Sequence, residues 1–194
     1  MNPDRGYRKA NMPEGAKRVF EGKIFDVYQW EQELYDGSTT IFERITRPDT
    51  VVVFPVLQDG RILLIEDSQP DRETVLTPPS GRIEEGETPE NAARRELLEE
   101  TGHSVEALHP LFAERPLNKL DWMIYGFIGR GAKKVREPTP DAGEKIALRP
   151  LSFEEMIETC MKRGRGFKTD FGNVFFEALL DSEKMDALKK SFFG

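Results

Sequence analysis

Acidic side chains crowd residues 81–102, GRIEEGETPENAARRELLEETG, where Glu84, Glu85, Glu87, Glu90, Glu96, Glu99 and Glu100 face only Arg82, Arg94 and Arg95. On a helix, Glu96, Glu99 and Glu100 fall three and four positions apart, which puts them on one side within an arc of roughly 100°. Like charges that close are unfavourable by themselves. Full solvation on an exposed acidic face would relieve them. So would a hard divalent cation, which takes carboxylate oxygens as ligands and, for magnesium, substrate phosphates and water as well. Arg95 stands four residues before Glu99 and can also reach back across the preceding loop to Glu87. The acids therefore divide into a metal-binding set, Glu96, Glu99 and Glu100, and a structural partner of Arg95, Glu87.

A helix must carry this set. Thr88 suits its N-cap, Pro89 its first position and Gly102 its end, with Ala93 and Leu97 facing the core. Upstream, residues 19–35 and 39–46 flank an Asp36-Gly37 turn and are expected to form a small N-terminal sheet. TVVVFPVL (50–57) and RILLIED (61–67) are expected as paired strands around Asp59-Gly60, with a short strand at 73–77. Beyond the helix, strands are expected at 111–114 and 121–128, then a long polar loop over 129–144 and a strand in KIALRPLS. EEMIETCMKRG should be helical, followed by one final helix over 171–190 with Phe175, Leu179 and Met185 inward. Trp122, Tyr125 and Phe127 are read as core or sheet residues. The sum is a mixed α/β or α+β domain.

Gly81, five residues, Glu87, seven residues, then Arg95-Glu96-Leu97-Leu98-Glu99-Glu100-Thr101-Gly102 resembles the Nudix box of the Nudix hydrolase family. Every fixed charged and glycine position of that motif is present, which sets the solvated-face alternative aside. One departure is His103, at a position that is usually aliphatic. The resemblance implies a Nudix α/β/α sandwich around a mixed sheet, and hydrolysis of a nucleoside diphosphate linked to another group. Residues 1–47 would be a tail and antiparallel strand pair that forms a homodimer, and 48–194 the Nudix domain. By the same resemblance Glu96 and Glu100 are the main metal ligands, and Glu99 joins them or holds a further ion. The backbone carbonyl of Ser80 or Gly81 is a further ligand candidate. The implied cofactor is Mg²⁺, with Mn²⁺ as a substitute, and Glu99, Glu100 and Arg95 enter the catalytic set.

The wider chain resembles the ADP-ribose pyrophosphatase and nucleotide-sugar hydrolase subgroup, through RITRPDTVVVFPVLQDGRILLIEDSQP and the later DAGEKI and LSFEEM. TPPSG departs from that subgroup's usual acidic, aromatic approach to the box, and Pro116 is read as shaping a turn. The subgroup takes a general base from a loop after the box. Glu144 in PTPDAGEKI is the first candidate here and Asp141 the second. Tyr28 and Trp30 are expected to stack on a base, and Arg44, Arg47 and Arg72 to meet phosphate or ribose hydroxyls. Each has a plainer role available, in sheet packing or surface solvation. The expected reaction releases a nucleoside monophosphate and a sugar phosphate from a substrate such as ADP-ribose. Other substrates weighed are GDP-mannose, a dinucleoside polyphosphate, NADH, a nucleoside triphosphate and an RNA cap. A non-catalytic nucleotide sensor is disfavoured by the complete carboxylate set.

The chain has 194 residues, 35 acids, 28 bases and a net charge of −7. That suits one domain and argues against nucleic-acid or anionic-membrane partners. Cys160 is the sole cysteine and is read as a small core or boundary residue. No apolar run reaches membrane-spanning length and the start lacks an apolar signal core, so the cytoplasm is the expected compartment. His103 and His109 lack partners at metal-like spacing. KRGRGFKTD (162–170) lacks phosphate-loop spacing and is read as a solvated loop.

Overall fold

The computed structural model describes residues 12–70, 72–161 and 173–194. The N-terminal strands are β1 (Lys17–Glu21), β2 (Asp26–Glu33) and β3 (Thr39–Thr46). Next come β4 (Thr50–Leu57), β5 (Ile62–Gln69), β6 (Arg72–Thr77) and β7 (Ser80–Arg82), which lead into helix α1 (Pro89–Thr101). The chain continues through β8 (His103–Ser104), β9 (Ala107–Glu114), β10 (Leu120–Asp121), β11 (Ile124–Lys134) and β12 (Lys145–Leu151). It closes with α2 (Phe153–Met161), α3 (Asn173–Leu180) and α4 (Ser182–Phe193).

Strand β4 explains the layering. Its side chains alternate between faces, and both faces are covered, which is why TVVVFPVL reads as a continuous apolar run. Val51 and Val53 pack against Ala92, Ala93 and Leu97 of α1. Val52, Phe54 and Val56 pack on the other side with Met156, Phe175, Leu188 and Phe192 from α2, α3 and α4. Rings reinforce that side: Phe54 and Phe175 are 5.3 Å apart, and Phe153 and Phe192 5.5 Å. Full burial of each such side chain stabilises the fold by roughly 1.5–3 kcal/mol. The sheet order is β12-β5-β4-β11-β8, with β4 parallel to β11 and antiparallel to β5 and β7. This is the expected α/β/α sandwich around a mixed sheet.

A second sheet holds β1, β2, β3 and β10 in that order. Asp36-Gly37 makes the expected β2–β3 turn, with Gly37 at φ 81° and Asp36 Oδ1 accepting from the Ser38 N–H at 3.0 Å. Pairing of Leu120 with Ile45 ties this sheet to the main body. Pro116 lies in the connection between β9 and β10.

Two expectations are corrected. The tract 129–144 is not all loop, because β11 runs on to Lys134. A register irregularity between Gly129 and Ala132, with Gly131 at φ 68°, lets the polar tail of the strand pair with β8. The final helix is two helices. Asp181 leaves helical geometry and its carboxylate accepts from the N–H groups of Glu183 and Lys184, capping α4. Phe175, Ala178, Leu188 and Phe192 are the residues buried there, while Leu179 is exposed. KRGRGFKTD lies outside the described residues, as does the Cys160 side chain.

Candidate active site

Helix α1 starts where its sequence says. Thr88 Oγ1 accepts from the Asn91 N–H at 3.3 Å, and Pro89 follows it. Gly102 ends the helix in the left-handed region, with its N–H bonded to the Leu98 carbonyl. A side chain at Gly102 would be strained and would overlap the Arg136 carbonyl. With Ala92, Ala93 and Leu97 turned into the core, the acids flank that buried stripe. Glu100 is 7% exposed, and the Glu96 and Glu99 side chains are 14% and 41% exposed.

Arg95 fastens the preceding loop to the helix. Its Nε and Nη2 donate to the two Glu87 oxygens at 3.0 and 2.9 Å, and Nη2 also donates to the Arg82 carbonyl at 2.9 Å. Such a bidentate pair is strong and directional. It holds the Arg95 pKa above its ordinary value and the Glu87 pKa below its own. Nη1 of Arg95 donates to Glu96 at 2.7 Å and Glu99 at 3.2 Å. Gly81 sits against the Glu96 carboxylate so closely that any Cβ there would overlap it. The next residue back, Ser80, donates its N–H to Glu100 Oε2 at 2.9 Å.

The loop after β11 is drawn to the same place. Gly102 O accepts from the N–H groups of Val135 and Arg136 at 2.8 and 3.2 Å, and Glu99 O accepts from Thr139 N–H at 2.7 Å. The loop then delivers Asp141 and Glu144 to a cleft of about 730 Å³ that also contains Ser80, Glu96, Glu99 and Glu100. Cavities of this size suit small-molecule ligands. Arg47 lines the same cleft, its guanidinium 4.4 Å from the Trp122 ring centroid and 5.6 Å from that of Phe25. Burial, then repulsion from Arg82, lowers the Arg47 pKa, and its Nε is buried without a hydrogen-bond partner among the described residues.

The electrostatics are those of an anionic site. Burial raises the Glu100 carboxyl well above its usual range, the Ser80 N–H opposes this, and Glu96, Glu144 and Asp67 push it further up. Burial also raises Glu96, against the pull of Arg95 and with repulsion from Glu99 and Glu144. Among the described residues no three His, Cys, Asp or Glu side chains already form a metal cage, and Arg95 Nη1 lies against both Glu96 and Glu99. The donor set nonetheless fits a hard dication. It consists of carboxylate oxygens, it is partly desolvated, and among the described residues Glu100 meets a single backbone N–H and no cation.

Ser80, Arg95, Glu96, Glu99, Glu100, Glu144 and Arg47 thus come together, with Asp141 beside them. Tyr28, Trp30 and Arg44 do not line the cleft of their own chain. Trp30 is 9% exposed, lies 6.2 Å from the Phe42 ring and has the Arg44 guanidinium 5.6 Å from its own. Arg72 opens β6, and its side chain lies outside the described residues. His103 is buried, with Nδ1 2.8 Å from the Thr101 carbonyl oxygen, so it packs as a satisfied core histidine. The sequence reading passed over Asp67, Gln69 and Arg82. Asp67 had a signal: it continues the face that Leu63 and Ile65 turn into the core, and an acid there is out of place.

The NUDIX domain profile matches residues 46–171. The chain belongs to the NUDIX family. It is 35% identical over 151 residues to the ADP-ribose pyrophosphatase of Bacillus subtilis (strain 168), which covers 76% of this chain and 81% of that one. It is 29% identical over 147 residues to the methanol dehydrogenase activator of Bacillus methanolicus, covering 74% and 79%. Its fold matches the crystal structure of an ADP compounds hydrolase with a TM-score of 0.65 at 20% identity, over 90% and 88% of the two chains.

Proposed function

We propose that this chain hydrolyses the pyrophosphate linkage of ADP-ribose or a similar nucleoside diphosphate sugar, releasing a nucleoside monophosphate and a sugar phosphate. The observation that carries the reading is the convergence of buried Glu100 with Glu96 and Glu144 on a cleft that also holds Arg47. The B. subtilis relative supports the choice of ADP-ribose.

Glu96 and Glu100, with Glu99 and the Ser80 backbone beside them, are the groups that would hold Mg²⁺ or Mn²⁺. When bound, such a cation polarises phosphoryl oxygens and lowers the pKa of a water. The chain supplies the rest. Arg95 holds loop and helix together so that Gly81 can lie against Glu96. Glu144 takes the proton of the attacking water, a role for which a carboxylate must stand within hydrogen-bond reach. Arg47, fixed over Trp122 and with an Nε–H unpaired among the described residues, meets a phosphate oxygen of the substrate.

We assign residues 1–47 to an N-terminal extension and 48–194 to the catalytic domain, a boundary supported by the start of the profile match at residue 46. The extension dimerises the chain, and its mass in solution is the test. No helix among the described residues is long and apolar enough to cross a membrane, which is compatible with a cytoplasmic site of action.

The reaction is tested by a Mg²⁺-dependent turnover panel of ADP-ribose, GDP-mannose, UDP-glucose, dinucleoside polyphosphates, NADH and nucleoside triphosphates. ADP-ribose or another diphosphate sugar should give the highest kcat/KM. Preference for a triphosphate would defeat the substrate assignment and leave the fold untouched.

A further inference from the structure

Strand β5 ends at the cleft, and its last side chains were not part of the box. Period-two alternation puts Asp67 and Gln69 on the face that Leu63 and Ile65 bury upstream. Asp67 is 6% exposed, and Gln69 lines the cleft. Beside it, antiparallel β12 pairs Lys145 with Ser68 and Ile146 with Asp67. One more step of that register sets Glu144 directly across from Gln69. The contact is made: Gln69 Nε2 donates to Glu144 Oε1 at 3.1 Å and lies 3.4 Å from Asp67 Oδ2. Ionised carboxylates only accept, so the amide nitrogen must face both of them. The backbone of the loop is pinned separately, by Thr139 N–H on the Glu99 carbonyl and by Glu144 N–H on the Asp141 carbonyl at 2.9 Å.

The chemistry of residue 69 matters because of its neighbours. Glu144 repels both Glu96 and Glu100. The Gln69 amide donor beside the Glu144 carboxylate works against that repulsion. A lysine or arginine there would hold it but would neutralise acids needed for a dication. An uncharged amide donor holds the carboxylate and leaves the site its negative charge.

We propose that Gln69 is a positioning residue that fixes the Glu144 carboxylate in the cleft, with Asp67 orienting its amide. The inference rests on the reading of Glu144 as the group that takes the proton from water. A double-mutant cycle with Gln69→Leu and Glu144→Ala, assayed with ADP-ribose and Mg²⁺, tests it. Gln69→Leu should lower kcat by about 10–100-fold, the loss typical of an orienting partner, and leave KM nearly unchanged. In the Glu144→Ala background it should cost nothing further. The same cycle read by thermal unfolding in EDTA should also be non-additive. Gln69→Met, flexible and of similar length, repeats the measurement if the leucine variant does not fold. Additive kcat losses in an active enzyme, a change in KM alone, or additive unfolding shifts would each overturn this inference by itself. A folded wild-type protein that turns over no diphosphate compound of the panel would overturn the underlying reading with it.

Discussion

Glu100 shows what the site sacrifices for its chemistry. Burial raises its carboxyl pKa well above the usual glutamate range, and no cation among the described residues answers it. The metal-free folded protein therefore holds this proton more tightly than the unfolded chain does. The linked stabilisation is complete below the unfolded pKa and is lost as pH rises through the folded one. Above the unfolded pKa the metal-free fold must either bury the carboxylate charge or take up a proton, and either costs stability. Glu100→Gln removes that charge and keeps an oxygen to accept the Ser80 N–H. In EDTA at neutral pH the variant should melt at a higher temperature than wild type, and the gap should narrow as pH falls into mild acid. Its Mg²⁺-dependent kcat should fall by more than about 100-fold, the upper loss expected of groups that merely support a metal ligand. Near wild-type turnover would remove Glu100 from the site. An unchanged melting temperature in EDTA would mean that its charge is already relieved within the fold.

Elements are where local signals and tertiary context part company. Helix α1 was legible because each of its boundaries has its own chemistry: Thr88 caps, Pro89 starts and Gly102 stops. The pairing of Arg95 with Glu87 was legible because the loop is short and the charges opposite. The C-terminal break was not, since apolar residues continue through Leu179 and Leu180 and the polar run Asp181-Ser182-Glu183-Lys184 before Met185 reads equally well as the solvated face of one continuous helix. That aspartate caps α4 through two N–H groups, at 3.0 and 3.3 Å. Asp181→Ala should destabilise the protein by about 1 kcal/mol and lower Tm by about 2–4 °C for a chain of this length. ADP-ribose turnover should be unchanged, because α3 and α4 pack on the face of the sheet opposite α1. An unchanged Tm in calorimetry would reduce the cap to a cosmetic bend. Gln69 was illegible for a different reason. It meets Glu144 only through the register of β5 with β12, and a contact between residues 75 positions apart leaves no local trace.

At the scale of the whole molecule, the N-terminal sheet is unfinished. Phe20, Ile41, Phe42 and Ile45 are 57%, 57%, 41% and 41% exposed, with Phe42 on the β3 face opposite Ile41 and Ile45, and exposed apolar side chains gathered on one sheet mark a surface suited to association. Tyr28, Trp30 and Arg44 sit on this sheet and do not line the cleft of their own chain, so any part they play in binding a base requires a second copy. A symmetric dimer built on the sheet would answer both points, since an isologous interface buries the same patch twice. The acids, by contrast, all come from one chain, so chemistry and base recognition should separate. Analytical ultracentrifugation should find twice the 22.2 kDa chain mass at micromolar concentration. Ile41→Lys combined with Phe42→Lys should give monomers that stay folded, because neither side chain belongs to the main core. Those monomers should show a raised KM for ADP-ribose at nearly constant kcat, the pattern of lost binding without lost transition-state contacts. A wild-type protein that sediments as a 22.2 kDa species at every concentration would end the dimer proposal. Monomers with wild-type KM would instead confine Tyr28, Trp30 and Arg44 to packing their own sheet.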